Sequence, residues 1–257
     1  MKKRHKFVLV SLILAAGLVV TEWVGVEYKY QALVLLGGVS YLLSAWALRE
    51  GLRGIEWLMA LVLPTLYPMS VGMFYFLLPQ KWLSLVAVLV LFGIGMYALL
   101  LTANIFTVAA IRTIQLLRAA HAVGFLLTLT TAFFLFDTVL SFKLTGYWNA
   151  ALVMMVSLPL MLQGLWSMEL TEGGVTRRVG LYAPVVAVIL AGITWGLSFW
   201  PVGVALVSLF LVAMLYAGLG LVQQYLAGRL FENMVKEYLF VGLVVVVTVA
   251  MLTRWTG

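Results

Sequence analysis

Nine runs of mostly apolar residues, each close to the length that one helical bilayer crossing demands, decide what this chain can become. A hydrocarbon core about 30 Å thick takes roughly 20 residues of α-helix. Cutting the sequence at charged and turn-like clusters gives spans over Phe7–Val26, Gln31–Leu48, Ile55–Leu78, Trp82–Asn104, Ala119–Phe142, Tyr147–Ser167, Val179–Trp200, Pro201–Leu226 and Tyr238–Thr253. The subtlest cut falls at Ser198-Phe199-Trp200-Pro201-Val202-Gly203, where no charge intervenes and the proline and glycine predict a tight hairpin. The expected fold is therefore all-α: one integral-membrane domain over residues 1–257, a polytopic helical bundle of about nine spans.

Composition excludes the alternatives. Apolar residues make up 65% of the chain and charged ones 10%, too few to cover a water-facing surface. Cysteine is absent, which removes disulfide scaffolds, thiolate catalysis and Fe–S ligation. With only His5 and His121, no histidine cluster for a metal is expected either.

The net charge of +7 has an explanation other than nucleic acid. Lysine and arginine concentrate in the cytoplasmic loops of membrane proteins, so their distribution reports orientation. With the N-terminus inside, one face holds Lys2, Lys3, Arg4, Lys6, Arg49, Arg53, Arg112, Arg118, Arg177, Arg178, Arg229 and Lys236, and the other only Lys29, Lys81, Lys143 and Arg254. This asymmetry predicts a cytoplasmic N-terminus, a C-terminus outside and residence in the inner or plasma membrane. The nine tryptophans all fall near span ends, as an interfacial aromatic belt requires. The opening Met1–Lys6 followed by Phe7–Val20 has the layout of a signal peptide, but the apolar run continues to Val26 and reads as a first span.

Short loops leave no room for an extramembrane domain. The one patterned stretch between spans is Asn104–Arg118, where Asn104, Thr107, Arg112, Gln115 and Arg118 share one side of a helix. It predicts an amphipathic segment at the cytoplasmic surface, with Arg112, Gln115 and Arg118 as a lipid or partner contact.

Ionisable side chains within hydrocarbon are expensive, so they are the natural functional candidates. Two stand out: Glu22 in span one and Asp137 in span five, both in the outer third, where they suggest a shared acidic site for a cation or proton. The bland alternative is a solvated carboxylate or an ion pair with Lys29, Lys81, Lys143 or Arg254. Prolines at mid-span are the second pointer, because each removes a backbone hydrogen bond. Span three carries Pro64 and Pro68, with Tyr67 and Ser70 beside them, and span six carries Pro159 between Ser157 and Gln163. Broken helices in opposed halves mark binding sites in some transporters. Aligning Pro64 with Pro159 matches Leu63 with Leu158 and Met73 with Met168, with ordinary helix kinks as the simpler account.

No hydrolase, metalloprotease, phosphate-loop or dinucleotide motif occurs, and no lysine lies inside a span for a Schiff base. The preferred expectation is a small permease or carrier for a small or lipophilic solute, not an enzyme, with no cofactor and no metal. The alternative is a non-catalytic membrane subunit or scaffold, with lipids, a membrane-protein partner or a second copy of the chain as its contacts. A lipid-modifying enzyme acting through Glu22 and Asp137 lacks a nucleophile.

Overall fold

The computed structural model describes residues 3–79, 81–109, 116–170 and 175–253. Among these residues the chain is entirely helical, with nine helices each long and apolar enough to cross a membrane. They are α1 (Lys3–Trp23), α2 (Lys29–Leu48), α3 (Glu56–Tyr75), α4 (Trp82–Ala109), α5 (Leu117–Ser141), α6 (Gly146–Trp166), α7 (Arg177–Leu197), α8 (Val204–Leu226) and α9 (Glu232–Leu252). A single 3₁₀ turn, Val26–Tyr28, joins α1 to α2.

The helix ends follow local chemistry. Glu56 opens α3 and its carboxylate accepts the Arg53 backbone N–H at 2.9 Å, which places an acid at the positive end of the helix dipole. α7 begins with the Thr176 hydroxyl accepting the Val179 N–H. α8 ends in a Schellman motif: Gly228 has φ +65°, its N–H reaches Tyr225 O, and Arg229 N–H reaches Gln224 O. The turn between α7 and α8 falls where the sequence places it, with Gly203 immediately before α8.

Two spans differ from expectation in length. α9 starts at Glu232, six positions ahead of the Tyr238 boundary, with Glu232 and Lys236 paired one turn apart in its first turns. α4 runs past Asn104 to Ala109, so the front of the expected amphipathic surface segment belongs to a membrane-length helix. The reason is packing: Phe106 and Thr107 are buried, and Phe106 stacks on His121 with centroids 5.4 Å apart. Arg112 and Gln115 lie outside the described residues, and Arg118 is exposed at the start of α5.

The helices form two compact units, residues 1–134 with 170–174, and residues 135–169 with 175–257, so α5 contributes to both. In the first, α1 packs on α2 and α4, and α3 packs on α2 and α4. Its core is built from residues such as Leu14, Leu33, Leu61, Phe92 and Leu99, all fully buried. Small residues let helices meet closely. A Cβ on Gly37 would collide with Met69 Sδ, and one on Gly95 with Tyr67 Oη. In the second unit α6 packs on α7 and α8, and α9 leans on α8 through Tyr238, which covers Gly220. Trp23, Trp46, Trp57, Trp82, Trp148 and Trp195 are exposed near helix ends, but Trp166 departs from the interfacial belt: at the end of α6 it is fully buried, a core residue.

Candidate functional site

Proline chemistry shapes the interior of the first unit. Pro68 has no N–H, so the carbonyl of Pro64, four residues earlier, has lost its helical donor. Ser40 on α2 replaces it, donating its hydroxyl to Pro64 O at 2.6 Å from a fully buried position. Ser40 thus bonds to α3 as well as packing against it, whereas the buried Ser44 Oγ has no hydrogen-bond partner. Ser70 is spent locally, donating to Tyr67 O at 2.8 Å.

Tyr67 is set at the mouth of a cavity. Its ring stacks on Phe92 at 5.6 Å with planes 5° apart, and its hydroxyl donates to Leu91 O at 3.4 Å, a long contact for an O–H donor. A cavity of about 430 Å³ opens beside it, lined by Tyr67, Val71, Phe74, Leu91, Gly95, Thr130 and further apolar side chains of α3, α4 and α5. Thr130 donates to Leu126 O within its own helix at 3.0 Å. The weakly committed Tyr67 hydroxyl is therefore the polar group that such a cavity offers a guest. The volume lies within the roughly 300–1,000 Å³ of small-molecule sites, and its lining suits a lipophilic one.

The two acidic candidates each have a hydroxyl partner within their own unit. In the first, Tyr75 Oη donates to Glu22 Oε1 at 3.0 Å. In the second, Ser208 on α8 donates to Asp137 Oδ1 at 3.2 Å, while the same hydroxyl lies 2.9 Å from Val204 O. Asp137 is buried, and a single proton is shared between two acceptors there. Lys29, one of the cations suggested for these acids, instead sits 4.9 Å from the centroid of the Phe76 ring.

The α6 candidates are buried in the second unit. Ser157 donates to Met154 O at 3.3 Å, within its own helix. Gln163 is buried with Oε1 lacking a hydrogen-bond partner, and Trp166 Nε1, three residues on, is in the same condition. Between them Gln223 donates to Gly164 O at 2.9 Å. Pro159 lies inside α6, as Pro184 does inside α7, the latter a helix proline that mid-span reasoning passes over.

Sequence reasoning missed Ser40, Tyr75 and Ser208, whose partners lie 24, 53 and 71 positions away in the chain. Only for Ser40 was a signal present: a proline in a span implies a donor elsewhere. Among the described residues no group of three or more His, Asp or Glu is placed to hold a metal.

These features define a membrane-embedded helical protein whose two acidic candidates each accept a hydrogen bond from a hydroxyl. The chain belongs to the family of proteins of unknown function DUF5656, whose model matches residues 31–252 and so covers α2 through α9. No curated protein and no solved structure matches it.

Proposed function

We propose that this protein is a permease or carrier for a small lipophilic solute, sitting in the inner or plasma membrane with its N-terminus cytoplasmic and its C-terminus outside. The observation that carries the reading is the cavity of about 430 Å³ in the first unit, apolar but for Tyr67 and Thr130. It lies against α3, which stays helical through Pro64 and Pro68, and a proline inside a span is a point at which a helix bends readily. The excess of lysine and arginine on one set of loops supports the orientation. The reading is of a carrier and not of an enzyme.

The test is native mass spectrometry of gently extracted protein, followed by efflux from proteoliposomes of whatever small molecule it retains. A lipophilic adduct that is lost in Thr130→Trp, where the new ring fills the cavity from a partly exposed position, and that wild-type protein moves across the bilayer, would support the carrier. A protein partner at fixed stoichiometry with no adduct would replace the reading with a structural subunit.

A further inference from the structure

A second cavity, of about 310 Å³, lies in the second unit where the end of α5, the start of α6, the end of α7 and the start of α8 come together. Its wall is about half polar, unlike the cavity beside Tyr67. Leu140, Lys143, Asn149, Ser198, Trp200 and Val204 are among its lining residues.

Three observations mark it as built for a ligand. First, Lys143 has φ +50°, the left-handed conformation that glycine normally supplies after a helix. Its N–H closes the end of α5 on Leu140 O at 3.1 Å, so a strained backbone is retained to place a lysine at this cavity. No carboxylate forms a salt bridge with Lys143 among the described residues. Second, Asn149 is 6% exposed and its Oδ1 is buried without a partner. Its Nδ2 donates to Leu144 O at 3.1 Å, which fixes the amide's orientation: flipping it would set two acceptors face to face. The unpaired atom is therefore an acceptor. Third, the carbonyls at the ends of α5 and α7 are tied into turns, with Phe142 N–H on Val139 O, Ser198 N–H on Thr194 O and Trp200 N–H on Leu197 O. α8 starts at the cavity with no side-chain cap, as α2, α3, α6 and α9 also do at their own starts, so no side chain of the protein occupies its first N–H groups.

We infer that this cavity binds the head of an anionic amphiphile that also carries a hydrogen-bond donor, as the phosphoglycerol head of a membrane lipid does. The phosphate is held by the Lys143 ammonium and the α8 N-terminus, and a head-group hydroxyl donates to Asn149 Oδ1. Leu140, Leu144, Leu197 and Val207 supply the apolar wall along which the first part of an acyl tail lies. The site is independent of the carrier reading, which rests on the other unit.

The test uses full-length protein in detergent with equal amounts of phosphatidylglycerol and phosphatidylcholine, the bound lipid being counted by native mass spectrometry. Wild type is expected to retain phosphatidylglycerol at least fivefold over phosphatidylcholine. Lys143→Arg should keep that ratio, and Lys143→Gln should bring it close to one. Lys143→Gly should also bring it close to one while raising thermal stability, because glycine relieves the left-handed backbone, so the loss cannot be ascribed to unfolding. A millimolar excess of glycerol 1-phosphate separates the sources. Displacement of the lipid assigns the site to soluble phosphate esters, and failure to displace it assigns the site to the lipid itself. Retention of the wild-type ratio in both Lys143→Gln and Lys143→Gly would overturn the inference.

Discussion

Removing the Ser40 hydroxyl tests the account of how α3 accommodates its prolines. In Ser40→Ala the Pro64 carbonyl, already deprived of a helical donor by Pro68, loses the one hydrogen bond it accepts from α2, at 2.6 Å and in a position fully closed to solvent. A buried acceptor left unpaired costs about 1–3 kcal/mol. Each kcal/mol lowers the midpoint of thermal unfolding by about 2–4 °C for a chain of this size. The decisive comparison is a double-mutant cycle with Pro68→Ala, which restores an N–H four residues after Pro64. In that background Ser40 becomes redundant, and Ser40→Ala should cost less than about 0.5 kcal/mol, helped by the better helix propensity of alanine. The coupling between the two sites should then be about 1–2 kcal/mol, within the range measured for residues that share a partner. Unfolding in mixed micelles followed by tryptophan fluorescence provides the readout. An equal cost of Ser40→Ala in both backgrounds would refute the exchange of donors between α2 and residue 68.

Two further predictions rest on single contacts. Gly95→Ala should destabilise by about 1–3 kcal/mol, since its Cβ would meet the Tyr67 ring, which is buried and stacked and has no easy retreat. Gly93→Ala, two positions away with nothing within 4 Å, should gain up to about 1 kcal/mol, so melting curves of equal midpoint would show that Tyr67 does not lie against Gly95. At the membrane edge, the Lys6 ammonium hydrogen-bonds the Glu50 carboxylate at 3.0 Å, and this contact, with the charges of Lys6 and Lys3, holds Glu50 below its ordinary value of 4.5. A carboxylate depressed in the folded state contributes stability above the ordinary value and loses it as pH falls through the depressed one. Glu50→Gln should therefore flatten the stability profile on the acid side of pH 4.5 and leave the profile above it unchanged, as a pH series of melting curves would show.

The spans were legible because their cause is local. Length and apolarity are properties of consecutive residues, and the bilayer imposes one repeat distance on all of them. Hence the α7–α8 hairpin at Pro201 and Gly203 was found without a charge to mark it, and most boundaries fall within a turn of the helix ends. The reading failed where packing decides. Periodicity set Asn104 and Thr107 on one face with Arg112, yet Thr107 is buried against Gly51, and Trp166 sits in the core although it lies at a span end. Neither burial has a local signature, because it depends on which helix arrives opposite.

The candidate site divides along the same line. Sequence alone marked Glu22, Asp137, Tyr67 and the prolines, because a charge or a missing N–H inside hydrocarbon is costly wherever the chain goes. Only tertiary structure decided what answers each cost: Tyr75 for Glu22, Ser208 for Asp137, Ser40 for the carbonyl of Pro64. It also decided where space remains, beside Tyr67 and again at Lys143 and Asn149, the latter in the first turn of α6. The physical reason is range. A residue's cost of burial is fixed by its own chemistry, whereas its partner is chosen by helix packing across tens of residues of chain.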